Sequence, residues 1–80
     1  MNDLLIDIQR AFHEALDVDP QLVSMDTTPT DIPGWDSSGQ LALASSLESI
    51  FGLSFDVDEL MEMENVREIA RIVQSKVNHA

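Results

Sequence analysis

The chain has 80 residues, and fifteen Asp and Glu against four Lys and Arg give it a formal net charge of -11. This balance argues against nucleic acid and anionic lipid surfaces as partners, because affinity for either depends on clustered Lys and Arg. The sequence has no cysteine, which excludes a disulfide framework, a thiolate zinc site and a thiol nucleophile.

Neither a membrane-spanning segment nor a targeting segment is predicted. No apolar run approaches the ~20 residues that span a bilayer. Asp3 and Asp7 interrupt the apolar residues near the start, and the basic region of a signal peptide is missing. With 44% hydrophobic residues the composition is that of a folded chain. We therefore expect residues 1–80 to form one acidic domain in the cytoplasm.

The first predicted helix is capped by Asn2 or Asp3 and carries apolar residues at spacings of three and four as far as Leu16. Residues 17–36 then form a long connection that contains all three prolines. Loops of this length within compact domains are often functional. Apolar side chains are expected to attach this loop to the core: Val18, Leu22, Val23, Met25 and Ile32.

The second predicted helix begins at Trp35–Ser37 and ends at Gly52, a glycine in the position of a C-cap. Ser37 with Gln40 fits the S-x-x-Q capping box, and Asp36 is a second possible cap. The apolar period of this helix is carried by Leu41, Ala44, Leu47, Ile50 and Phe51, with Leu43 widening the stripe.

Two further helices complete the pattern. A short third helix is predicted over residues 56–61, with Asp56 as its cap and Glu59 three positions later. The last helix starts at Asn65, again with an acid, Glu68, three positions later. Since no alternating strand pattern occurs, the predicted fold class is all-α: a small four-helix bundle with a short third helix and a long loop between helices 1 and 2.

Few side chains are candidates for catalysis or metal binding. His13 lies within the first helix and His79 lies next to the C-terminus, and neither has a local serine or cysteine partner. Two acidic pairs, at 17–19 and 56–58, lack the third acid and the glycine of an EF-hand loop, so they are interpreted as caps and solvated loops. Core positions are predicted for Met61 and Met63.

One segment, Pro33 to Ser37, places a serine hydroxyl at the first turn of a helix, after a loop that should present it outward. A phosphate ester on that hydroxyl would meet free backbone N–H groups and the positive end of the helix dipole. A phosphorylated or phosphopantetheinylated serine fits this geometry. A plain N-cap serine explains the local sequence equally well and is the commoner use of such a residue, so the alternatives stay open.

The sequence around this serine resembles an acyl carrier protein of the phosphopantetheine-binding carrier family. G-W-D-S at 34–37 and G-Q-L at 39–41 resemble the family's G-x-D-S-L signature, and L-E-S-I-F-G at 47–52 resembles the end of its second helix. The segments at 55–60 and 65–70 resemble the short third helix and the start of the fourth. The resemblance extends over essentially the whole chain in length and helix order.

This resemblance implies the residues of the site. Ser37 matches the serine that receives 4′-phosphopantetheine from coenzyme A, and Asp36 matches the acid that the transferase recognises. Leu41 matches an apolar position that faces partners or the carried chain. Trp35 fits a G-W-D-S subset of carriers, in which the indole either anchors the loop or contacts the arm. No catalytic or metal-binding residue is implied.

The implied function is that of a carrier and not an enzyme. A phosphopantetheine arm on Ser37 would hold an acyl or aminoacyl group as a thioester and move it between enzymes. The implied partners are a phosphopantetheinyl transferase, a loading ligase or transferase, and a downstream synthase, and a single arm favours a monomer. The alternative is an acidic helical interaction module in which Ser37 is only a cap, or a serine regulated by phosphorylation.

Two departures from the family pattern favour a specialised pathway (secondary-metabolite, polyketide-like or aminoacyl) over housekeeping fatty-acid synthesis. Ser38 stands where the family usually has leucine, and residues 37–52 contain a single acid, Glu48. Most acids flank this segment. The charge distribution therefore predicts that basic partner surfaces contact the first loop or residues 56–64.

Overall fold

The computed structural model describes residues 3–78, which are helical with connecting loops and without strands. The α-helices of this part of the chain are Asp3–Leu16 (α1), Ser37–Phe51 (α2), Val57–Met61 (α3) and Val66–Asn78 (α4). The predicted small four-helix bundle with a short third helix is confirmed. Asn2, one of the two predicted caps of α1, and His79 lie outside the described residues.

The helices enclose one hydrophobic core. Helix α1 packs most extensively against α2 and also contacts α4. The largest fully buried side chains of the core are Ile8, Phe12, Val23, Leu43, Leu47, Val66, Ile69 and Val73. No described helix is both long enough and apolar enough to cross a bilayer.

The buried face of α2 follows the predicted apolar stripe except at Leu41. Leu43, Ala44 and Leu47 are buried, and Ile50 and Phe51 are partly buried against the core. Leu41 is 64% exposed, so it does not belong to the core stripe, and its exposure fits the partner-facing position that the family resemblance implies. Stripes through Leu41 and through Leu43 both satisfy helical spacing, and the packing against α1 selects the second.

The long loop between α1 and α2 is attached to the core mostly as predicted. Val18, Val23 and Ile32 are buried, and Met25 is partly buried against the core. Leu22 is 66% exposed, so its predicted core position is wrong. It lies in a single turn of 3₁₀ helix, Pro20–Leu22, which the sequence pattern did not predict. A turn of this kind directs successive side chains outward around its axis.

The same loop also closes the start of α4. The backbone N–H of Val66 donates to the carbonyl of Thr27 at 2.9 Å, and that of Arg67 donates to the carbonyl of Met25 at 3.0 Å. The first N–H groups of a helix have no partner inside the helix. The loop therefore satisfies donors of α4, which fixes its position across the bundle.

Local sequence signals determine the ends of the other helices as predicted. The carboxylate of Asp56 accepts from the N–H of Glu59 at 3.0 Å, and the Glu59 carboxylate accepts from the N–H of Asp56 at 3.0 Å. The Asn65 side chain accepts from the N–H of Glu68 at 2.8 Å. Gly52 ends α2 with a φ of 66°, the left-handed conformation that glycine adopts without strain.

Candidate functional site

The N-terminus of α2 is organised by Asp36. Its backbone is extended, its carboxylate accepts from the N–H of Gly39 at 3.0 Å, and its carbonyl accepts from the N–H of Gln40 at 2.7 Å. Asp36 is therefore the N-cap, and Ser37 is the first residue inside the helix. The predicted capping box of Ser37 and Gln40 is wrong, because Ser37 lies one position beyond the residue that caps.

This assignment leaves the Ser37 hydroxyl unused by the fold. The residue is exposed, and its hydroxyl makes no hydrogen bond to any described residue. The backbone N–H groups of Ser37 and Ser38 likewise have no protein partner within residues 3–78. The interpretation of Ser37 as merely a helix cap is thus wrong. The hydroxyl is presented to solvent beside free donors at the positive end of the helix.

Trp35 anchors the segment that leads into this serine. Its side chain is 5% exposed, and its ring meets that of Phe12 edge to face, with centroids 4.9 Å apart and planes at 79°. Its Nε1 donates to Oε1 of Gln40 at 2.6 Å. Burial and a satisfied indole N–H support the anchoring role for Trp35 over a contact to the arm.

Gly39 is a positioning residue that the sequence reasoning missed. A Cβ at this position would overlap the backbone carbonyl of Gly34, which itself adopts a φ of 89°. The turn before Asp36 therefore lies directly against the first turn of α2. The available signal was a glycine within a helix, where it costs about 1 kcal/mol relative to alanine and so indicates a close approach.

Gln40 is the second residue whose role was missed. Besides accepting from Trp35, its Nε2 donates to the backbone carbonyl of Leu60 at 2.9 Å. An indole N–H only donates and a carbonyl only accepts, so these two partners determine the orientation of the Gln40 amide. The bond joins the first turns of α2 to the end of α3.

We call the exposed large apolar side chains of α2 and α3 the apolar face: Leu41 on α2 and Val57 and Met61 on α3, which are 64%, 69% and 75% exposed. Leu41 and Met61 each follow in sequence one member of the Gln40–Leu60 hydrogen bond. The predicted core position of Met61 is wrong, whereas that of Met63, at 4% exposure, is confirmed. Exposed apolar side chains on α2 and α3 are candidates for contact with a partner.

Many charged side chains already have partners within the protein, which the sequence alone did not predict. The Glu48 carboxylate accepts from the N–H of Phe55 at 2.9 Å. All four basic side chains are paired with acids: Arg10 with Glu14, Arg67 with Asp26, Arg71 with Glu62 and Glu68, and Lys76 with Glu59. Hydrogen bonds from Arg71, first to Glu68 and then to Glu62, raise the pKa of its guanidinium above the ordinary value.

The other candidates have structural roles at helix ends. The Asp19 carboxylate accepts from the N–H of Gln21 at 2.9 Å and caps the 3₁₀ turn. His13 is exposed, and its Nδ1 lies 3.2 Å from the carbonyl oxygen of Val18, just after α1. Within residues 3–78, no group of three metal-ligating side chains comes together, and no pocket is found.

This fold and this site define a class of protein: a small helical carrier with an exposed serine at the start of its second helix. The free hydroxyl of Ser37, the unpartnered N–H groups beside it and the helix dipole fit a phosphodiester at that position. The chain matches the family model described as the phosphopantetheine attachment site over residues 6–73, and it belongs to that family. No curated protein matches the chain in sequence.

Membership in this family determines the class of activity. Its members hold 4′-phosphopantetheine covalently and act as carriers, not as enzymes, so the predicted family, cofactor and non-enzymatic role are confirmed. Their partners are a phosphopantetheinyl transferase and the enzymes that act on the carried group.

Proposed function

We propose that Ser37 is the residue that bears 4′-phosphopantetheine and that residues 1–80 act as one carrier domain for an acyl or aminoacyl thioester. The observation that carries this proposal is that Asp36, and not Ser37, caps α2. Asp36 caps α2, which leaves the exposed Ser37 hydroxyl without a structural role.

Attachment would make the Ser37 hydroxyl oxygen part of a phosphodiester. The hydroxyl loses its proton, and the adenosine bisphosphate half of coenzyme A leaves. The negative charge of the ester then lies at the positive end of α2, beside the free N–H groups of Ser37 and Ser38. When bound, the arm supplies the thiol that the cysteine-free chain lacks.

The test is intact mass after incubation of the purified apo protein with coenzyme A and a broad-specificity phosphopantetheinyl transferase. Wild type and Ser38→Ala are expected to gain one phosphopantetheine, and Ser37→Ala to gain none. Ser38→Ala is the matched control, since it removes the neighbouring hydroxyl from the next residue of the same helix turn.

Two results would contradict the proposal. A gain that persists in Ser37→Ala and disappears in Ser38→Ala would move the attachment to Ser38. A wild-type chain that gains no mass, although a known carrier in the same tube is modified, would refute attachment altogether. Folding of Ser37→Ala is checked by circular dichroism so that a loss of modification reports the hydroxyl alone.

We propose further that basic surfaces of partner enzymes contact the apolar face and the acids beside it. Asp56 and Glu59 bond each other as a capping box, and Glu59 also pairs with Lys76 at 2.9 Å. Asp58 is exposed on α3, and its carboxylate has no partner among the described residues. It therefore supports a direct contact better than its neighbours do.

This contact is tested by the salt dependence of KM for the transferase. Asp58→Asn is expected to raise KM at low salt and to flatten its increase with salt, because one attraction is removed. Asp7→Asn makes the same charge change on α1 and serves as the control. Equal effects of the two substitutions would mean that only net charge matters, which contradicts a local contact.

A specialised pathway is the finer proposal for the cargo. Ser38 stands at the exposed second position of α2, where leucine is usual in the family, and the one acid of this helix, Glu48, is engaged by Phe55. Both features support partners other than those of fatty-acid synthesis. Loading of the holo protein by a fatty-acid malonyl transferase should be slow, and Ser38→Leu should accelerate it. Efficient loading of wild type would refute the proposal.

A further inference from the structure

The side chain of Gln40 lies between two parts of the chain that are distant in sequence. Its Oε1 accepts from Nε1 of Trp35 at 2.6 Å, five residues earlier, and its Nε2 donates to the carbonyl of Leu60 at 2.9 Å, twenty residues later. One amide thus uses both of its polar ends to connect the segment before Ser37 with the end of α3. Because the indole N–H can only donate and the carbonyl can only accept, the Gln40 amide can take only one orientation.

Helix α3 depends on few other attachments. It has five residues, none of them buried, and Val57 and Met61 are its most exposed apolar side chains. A helix this short does not persist through its own hydrogen bonds. Leu60 packs against the core, and Glu59 pairs with Lys76. The Gln40 bond is thus the hydrogen bond that links the end of α3 to α2, while the bond from the N–H of Phe55 to the Glu48 carboxylate links α2 to the segment just before α3. The Leu60 carbonyl also accepts from the N–H of Met63 at 3.3 Å.

The other partner of Gln40, Trp35, lies in the segment that leads into Ser37. Trp35 immediately precedes the N-cap Asp36, and its ring is held by Phe12 on α1. The Trp35 side chain is 5% exposed and its bond to Gln40 is partly buried, so losing the acceptor would leave a partly buried donor without a protein partner. Such a donor favours movement of the ring, and the segment that carries Asp36 moves with it.

We propose that Gln40 is a positioning residue that holds the serine-bearing end of α2 and the end of α3 in one arrangement. The carrier therefore presents Ser37 and the apolar face together, as a single surface. This proposal builds on the proposed role of Ser37, but the bridge itself is tested on the unmodified chain.

Hydrogen exchange measured by ¹H–¹⁵N NMR tests the bridge. Trp35 is the only tryptophan, so its indole N–H gives an isolated signal, and the amides of residues 59–63 report the end of α3. Gln40→Met keeps the approximate volume and removes both hydrogen bonds. Both signals should exchange about five-fold faster, which corresponds to one ordinary hydrogen bond. Gln74→Met, at an exposed position on α4, is the matched control.

A second variant separates the two halves of the bridge. A carboxylate in Gln40→Glu can still accept from the indole of Trp35 but cannot donate to the carbonyl of Leu60. Exchange at the α3 end should then be fast, while exchange of the indole N–H stays close to wild type. A purely structural loss of stability would accelerate both signals equally. Equal acceleration in Gln40→Glu, or wild-type exchange in Gln40→Met, would overturn the proposal.

The consequence for Ser37 is measured as the rate of phosphopantetheine attachment. Gln40→Met should lower kcat/KM several-fold relative to Gln74→Met, and an unchanged value would overturn the positioning role at Ser37. Failure of the proposed function can be told apart from failure of the positioning role. In the first case wild type itself would gain no phosphopantetheine, while the hydrogen-exchange results would be unaffected. Trp35→Phe removes the indole donor together with part of the buried ring, leaves the bond from Gln40 to Leu60 in place, and should reproduce the loss in rate without releasing α3.

Discussion

The two roles assigned to Asp36, helix cap and recognition by the transferase, are separable by substitution. Asp36→Ala removes the acceptor of the 3.0 Å bond from the N–H of Gly39 and also the negative charge at the start of α2. Loss of the cap costs about 1 kcal/mol, and loss of the charge near the dipole costs about 0.3–1 kcal/mol more. For a domain of this size, about 1 kcal/mol corresponds to a decrease in Tm of roughly 4–8 °C.

Asp36→Asn separates the contribution of the capping bond from that of the charge, because asparagine caps as well as aspartate but carries no charge. Its Tm should fall by only about a quarter to a half as much as that of the alanine variant, whereas both variants should be modified slowly at Ser37. Thermal unfolding followed by far-UV circular dichroism gives the first quantity, and intact mass against time gives the second. Equal destabilisation by the two substitutions would refute the capping bond as the source of stability. Wild-type modification of both would refute recognition of the charge.

The remaining predictions compare matched positions on α2. Ser37→Ala should change the free energy of unfolding by less than about 0.5 kcal/mol, since its hydroxyl is unbonded; a loss typical of an N-cap would contradict this in chemical denaturation. Gly39→Ala should lower Tm despite the better helix propensity of alanine, because its Cβ meets the Gly34 carbonyl, whereas Ser45→Ala on the exposed side should not. Leu43→Ala should cost about 2–5 kcal/mol, while Leu41→Ala should leave stability unchanged and weaken transfer to partner enzymes.

The parts of the fold that the sequence predicts correctly are those determined by neighbours along the chain. The capping box of Asp56 and Glu59, the Asn65 cap and Gly52 act within a few residues, so their chemistry is visible in the sequence. The exposure of Leu41 on α2 is of another kind. Leu41 and Leu43 both fit helical spacing, and only packing against α1 decides between them. The outward direction of Leu22 likewise depends on a single 3₁₀ turn.

At the N-terminus of α2, too, the sequence leaves a choice between two neighbouring residues that the structure resolves. Aspartate and serine are both strong caps, so Asp36 and Ser37 side by side leave open which of them closes the helix. The answer decides whether the Ser37 hydroxyl is available for modification, and it comes from the bond between Asp36 and the N–H of Gly39. The first turn of α2 that carries this bond also lies against the Gly34 turn, and a Cβ at position 39 would overlap the Gly34 carbonyl. Gly39 therefore contributes to the presentation of Ser37 along with the acid that precedes the serine.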